Sequence, residues 1–340
     1  MKTFNKFWLF TVVALLAVVL AACGSEDNKG AAEPQDSVNE VRIGYFPNMT
    51  HIATIVALEK GFYSEQLGND VKITTNTFND GSAFMEAMST DAIDVGTVGP
   101  TPALTSYMKS PKHEIISGAV NGGAVLVVRK DAGIDSVKDL AGKTVAIPTF
   151  GSTQDIALMK ALQDAGLKVK TNGGDVNTVK QAPADTAALF VQKQVDAAAT
   201  QEPWGVNIEN KADAKLLLGP DDFAWGKEST NTVVVAQTDF TKANPETTTK
   251  LLKAHAEAVD FINKNPEQAI DLFLKHIKDI TGKELSKEEV TESFKRLTPT
   301  TAVNEEVLQE MATISKEAGY ISKDDINGLV NLSYLKEATK

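Results

Sequence analysis

Cysteine occurs once in the 340 residues, at position 23. An intrachain disulfide, a CxxC zinc site and an iron–sulfur cluster are therefore excluded. Arginine is nearly as scarce, since Arg42, Arg129 and Arg296 are the whole supply. So small a supply argues against recognition through several bidentate guanidinium forks, and an anion site must rely mostly on backbone amides and hydroxyls. No basic run interrupts a balance of 34 Lys and Arg against 45 Asp and Glu, net charge −11, which argues against nucleic-acid binding through a basic face. The four histidines, His51, His113, His255 and His276, show no HExxH or similar spacing. A zinc site would have to combine His51 with acidic residues from elsewhere in the chain. GxSxG, P-loop and GxGxxG motifs are absent, as is a cysteine nucleophile in the folded body, so no catalytic residues are assigned and no cofactor is called for. What the chain does have is a 42% hydrophobic composition, enough for one large or two ordinary domains.

Lys2 and Lys6 precede residues 7–22, sixteen positions with Thr11 as the one polar side chain. This is the pattern of a signal peptide, and it is short of the roughly 20 residues that a spanning helix needs. The tetrapeptide Leu20-Ala21-Ala22-Cys23 resembles the bacterial lipobox. That resemblance implies removal of residues 1–22 and diacylation of Cys23, leaving the protein lipid-anchored on the extracytoplasmic face of the cell membrane. Loss of Lys2 and Lys6 would take the net charge to −13. Residues 24–40 contain six charges and no aromatic residue, cannot bury a core, and read as a flexible tether about 20–25 Å from end to end.

From residue 41 the chain alternates short β-branched runs with helical stretches, which predicts an α/β fold built on mainly parallel sheets. Ile52, Ile55 and Val56, followed by Gly61, mark a helix and its C-cap. Two α/β lobes are expected: 41–128 plus 231–340, and 129–230. Chain crossings near 127–129 and 231–235 would form a hinge, and residues beyond 236 are expected to be entirely helical and to return to the first lobe. Ligand sites favour such clefts at the carboxyl ends of strands.

Each strand end opens into a polar turn before a helix. Asn48 and His51 follow the first strand, Gly81 and Ser82 the second, and Thr101 the third. In the second lobe the corresponding residues are Ser152, Thr153 and Gln154, then Glu202 and Trp204. Free N–H groups at converging helix N-termini, with hydroxyls beside them, suit an oxyanion; the same hydroxyls also serve as ordinary N-caps. Asn121, ahead of Gly122-Gly123, either makes a tight turn or lines the cleft. Glu202 is placed to meet a cationic group on a ligand, and Trp204 to shield that pairing or to fill core.

The segments Gly44-Tyr45-Phe46-Pro47-Asn48 with His51, Glu59-Lys60-Gly61-Phe62-Tyr63, Gly99-Pro100-Thr101-Pro102, Val137-Lys138-Asp139-Leu140-Ala141-Gly142-Lys143-Thr144-Val145-Ala146 and Glu202-Pro203-Trp204 resemble the solute-binding proteins of bacterial ABC importers. The sulfonate/nitrate/taurine group with the type II periplasmic-binding-protein fold looks closest. The resemblance implies a monomeric, non-enzymatic receptor that closes on a small anionic organic solute and hands it to a permease with ATPase subunits. An aliphatic sulfonate or a taurine-like compound is the expected ligand. Phe46-Pro47-Asn48 with His51 also resembles the branch that binds pyrimidine precursors of thiamine, and nitrate is a further alternative. Pyrimidine-precursor synthases share the fold but carry a cysteine-rich motif absent here.

Overall fold

The computed structural model describes residues 38–282 and 284–340. The leader, Cys23 and most of the tether lie outside the described residues. Strands β1 (Glu40–Tyr45), β2 (Lys72–Thr77), β3 (Val95–Val98) and β4 (His113–Gly122) alternate with helices α1 (Ile52–Lys60), α2 (Phe62–Leu67), α3 (Gly81–Ser89) and α4 (Pro100–Lys109). Next come β5 (Ala124–Arg129), β6 (Thr144–Ile147), α5 (Thr153–Asp164), β7 (Asn177–Lys180), α6 (Thr186–Val191), β8 (Ala197–Gln201), α7 (Trp204–Lys211) and β9 (Ala214–Leu218). The chain ends with β10 (Thr230–Gln237), α8 (Thr238–Ala243), α9 (Pro245–Lys264), α10 (Pro266–Thr281), α11 (Lys287–Phe294), β11 (Leu297–Pro299), α12 (Glu305–Glu317) and α13 (Ser333–Ala338).

The strands form two sheets, ordered β11-β4-β10-β3-β1-β2 and β7-β6-β8-β5-β9. Two sheets flanked by helices are the architecture that the resemblance to periplasmic binding proteins implies. Most strands of each sheet run in one direction, as expected, with a minority reversed. In the first, β10 runs antiparallel to β3 and β4, and β11 antiparallel to β4; in the second, β5 runs antiparallel to β8 and β9. All of β5 belongs to the second sheet, so the first crossing lies at Gly122-Gly123 and the second within 219–229, not at 127–129 and 231–235. Gly122 and Gly123 both have φ near +70° (+69° and +76°), a region open to glycine at little cost.

The α1 pattern places Ile52, Ile55 and Val56 in the core, and Gly61 caps the helix in the left-handed conformation. α9 lays Leu251, Leu252, Ala258, Val259 and Ile262 against α1 and α2; burying a Leu or Ile side chain contributes about 1.5–3 kcal/mol. The region after 236 is not wholly helical. Residues 297–299 add a strand, and of the helix expected over 323–335 only the end is present, in α13. α12 packs against both α4 and α5, so the C-terminal helices do not return to the first sheet alone. Among the described residues no helix is long and apolar enough to cross a membrane.

Candidate functional site: a cleft between the two sheets

A cavity of about 450 Å³ opens where the carboxyl ends of strands from both sheets face each other. Phe46, Asn48, Thr50 and His51 follow β1, Phe78 to Gly81 follow β2, and Gly99 and Pro102 follow β3. The opposite wall includes Pro148, Thr149 and Ser152 to Gln154 after β6, Asp185 after β7, Gln201 at the end of β8 and Trp204 beyond it. Asn231 and Thr232 of β10 form part of the lining, and Ile277, Thr281 and Leu285 close one side.

The first wall is tied together by hydrogen bonds. The Asn48 Oδ1 atom accepts from the Thr50 N–H at 3.0 Å and the Thr50 hydroxyl at 2.7 Å, fixing the turn after β1. His51 Nδ1 meets Thr97 Oγ1 at 2.8 Å, and the Phe46 ring lies 4.7 Å from the imidazole. Burial pulls the His51 pKa down to about 3, so the ring is neutral, with Nε2 left for a ligand. Asp80 accepts from the Ser82 and Ala83 N–H groups at 2.9 and 3.0 Å, occupying the α3 N-terminus itself. α4 begins with Pro100 and has Pro102 in its first turn, neither of which carries an N–H.

α5 is different. Ser152 caps it by accepting from the Asp155 N–H at 3.2 Å, while the N–H groups of Thr153 and Gln154 have no acceptor inside the helix. Asp155 accepts from the Gly151 N–H and the Tyr320 hydroxyl, each at 2.8 Å, which holds this turn in place. Gln154 donates to Asn231 Oδ1 at 3.2 Å. Three buried atoms on the wall have no hydrogen-bond partner among the described residues: Thr153 Oγ1, Gln201 Oε1 and Asn231 Nδ2. Among the described residues no lysine or arginine lines the cavity, whereas the carboxylates of Asp80 and Asp185 do.

Seven of the residues singled out in the sequence therefore share one cavity: Asn48, His51, Gly81, Ser152, Thr153, Gln154 and Trp204. Four do not line it. Ser82 is exposed, with its N–H spent on Asp80. Thr101 is fully buried inside the first turn of α4. Asn121 pairs in register with Thr230 and Thr298 within the first sheet. Glu202 is fully buried and already paired: Arg296 donates to one oxygen at 2.9 Å, and the Val206 N–H and the Ser293 hydroxyl donate to the other at 3.1 and 3.2 Å. Burial pushes its carboxyl pKa upward, against the pull of Arg296. The ligand-facing role expected for Glu202 is thus corrected, because this carboxylate holds an internal cation.

Sequence reasoning missed Gln201 and Asn231. Gln201 is the last residue of β8, one position before the Glu202 that the sequence singled out, and Asn231 is the one amide opening an apolar β-branched run, a signal that was available. His51 has Thr97 and Phe46 for neighbours, and among the described residues no group of three His, Cys, Asp or Glu could hold a metal ion.

Residues 34–273 match the model of the NMT1-like family. The chain belongs to that family. A Bacillus subtilis (strain 168) relative, named for aliphatic sulfonate binding, is 26% identical over 96% of each chain. The taurine-binding periplasmic protein of Escherichia coli is 27% identical over 60% of each. The alkanesulfonate-binding protein SsuA from Xanthomonas axonopodis pv. citri, solved bound to MOPS, superposes with a TM-score of 0.71 at 21% identity, covering 84% of this chain and 95% of that one. The cleft of this NMT1-like protein lies at the carboxyl ends of its strands, the place where open α/β sheets bind small molecules.

Proposed function

We propose that this NMT1-like protein is the extracytoplasmic receptor of an ABC importer, capturing a small organic sulfonate that also carries an amine, and delivering it to the permease. One observation carries the reading: three buried polar atoms without partners meet in a cavity walled by both sheets. An unmade buried hydrogen bond costs about 1–3 kcal/mol, a cost that a ligand bonding to these three atoms would remove. The Thr153 hydroxyl, the Asn231 amide and the first N–H groups of α5 donate, which suits sulfonate oxygens. Gln201 Oε1 accepts, and Asp80 and Asp185 add negative charge, which suits an ammonium. A zwitterion is neutral overall and needs no lysine or arginine on the wall. The names of the Bacillus subtilis and Escherichia coli relatives support the sulfonate half of this reading. Cys23, diacylated, would hold the receptor at the membrane.

Calorimetry with taurine, propanesulfonate, nitrate, sulfate and a hydroxymethylpyrimidine tests it. Taurine is expected to bind and propanesulfonate to bind more weakly, and Thr153→Val is expected to weaken taurine binding about tenfold. A second reading has its own support. The neutral His51 imidazole beside Phe46 suits the polar edge of a flat ring, and heat from the pyrimidine alone would install that reading in place of the first.

A further inference from the structure

Arg296 lies between α11 and β11, and its neighbour Leu297 pairs with Gly122 in the first sheet. Its guanidinium reaches into the second lobe, donating to Glu202 Oε1 at 2.9 Å and to Glu209 Oε2 at 2.7 Å. Two backbone bonds complete a closed ring. The Gly123 N–H donates to the Arg296 carbonyl at 2.8 Å, and the Glu202 N–H donates to the Gly123 carbonyl at 2.8 Å. The ring thus joins three segments: the chain crossing, the end of β8 and the residue leading into β11. Trp204, two residues beyond Glu202, begins α7 and lines the cavity. Gly205 leaves no slack beneath it, since an added Cβ would lie 2.8 Å from Glu202 Oε1 and 2.5 Å from Val125 Cγ2.

We propose that Arg296 is a positioning residue for ligand binding: through Glu202 it seats the start of α7 and so fixes Trp204 as a wall of the cleft. Stability alone does not require the pair, because a buried ion pair can be replaced by packed neutral groups at little cost. What neutral groups do not reproduce is the Arg296 Nη1 atom, which donates to Glu202 and Glu209 at once from a planar, pre-organised guanidinium. The inference rests on the cleft being the ligand site, and its test contains a readout that needs no ligand.

Trp204 is made the sole tryptophan by Trp8→Phe and Trp225→Phe, and its quenching by acrylamide is measured without ligand. Taurine affinity by calorimetry and the unfolding midpoint are measured alongside. Arg296→Lys keeps the charge but replaces the planar guanidinium that places Nη1 with an ammonium on a flexible stem. The double variant Glu202→Gln with Arg296→Met removes both charges and guards against misfolding of the single one. In each variant that folds, quenching of Trp204 is expected to rise about twofold and taurine affinity to fall about tenfold, out of proportion to any change in midpoint. If wild type shows no heat with taurine, the sulfonate reading fails, while quenching still decides the role of Arg296. Quenching identical to wild type in the double variant overturns the proposal.

Discussion

His51 and His255 are neutral in the folded protein, because complete burial lowers their pKa values to about 3 and about 4. The unfolded chain takes up these protons near pH 6.5 and the folded protein does not. The stability contributed by His255 is therefore complete above pH 6.5 and is lost as pH falls towards 4, a total of about 3 kcal/mol. In His255→Gln, whose amide can still donate to the Gly118 carbonyl that His255 Nε2 contacts at 2.8 Å, the slope of unfolding free energy between pH 6.5 and 4.5 should flatten by up to about 1.4 kcal/mol per pH unit. Urea titrations at four pH values check this, and an unchanged slope would remove His255 as the source. Residue types at strand ends were readable in the sequence, and Thr153 and Gln154 were found that way. The fate of Glu202 was not, because its cation is 94 positions away and no local pattern says which long-range partner will claim a carboxylate.

Elements with a local signature were legible. α1 declares itself through its apolar spacing and its glycine cap, and α5 through Ser152 and an apolar face. β11 has only three residues and exists because β4 offers it an edge, a non-local cause that a reading of neighbouring residues does not contain. The same holds for the segment before α13, where Val330 bridges to Ile115 instead of continuing a helix. The turns before α4 and α5 also meet closely: a Cβ on Gly99 would come within 2.4 Å of Thr153 Oγ1. Gly99→Ala should consequently cost about 1–3 kcal/mol of stability and weaken taurine binding by displacing the Thr153 hydroxyl. Chemical denaturation and calorimetry on the same preparation measure both effects. A variant with wild-type affinity would show that Thr153 does not touch the ligand.

For the whole molecule, a cleft bounded by two sheets and crossed at Gly122-Gly123 and at 219–229 predicts closure on binding. With taurine at saturation the radius of gyration from small-angle scattering should fall, and an unchanged profile would contradict a moving hinge. Gly123→Val should lower stability by at least about 1 kcal/mol, since valine pays to adopt φ of +76°; thermal unfolding reads this directly. The two sheets also differ in when their strands become available. Every strand of the second lies between residues 124 and 218, whereas the first places β10 between β3 and β4. A chain made from its N-terminus can complete the second sheet early. β3 and β4 must then wait through about a hundred further residues of synthesis, with unpaired strand edges that invite aggregation. Chains stopped before Thr230 should accordingly be sticky in a way that chains extended past Pro299 are not, and a holding factor during biogenesis would have β3 and β4 as its natural target.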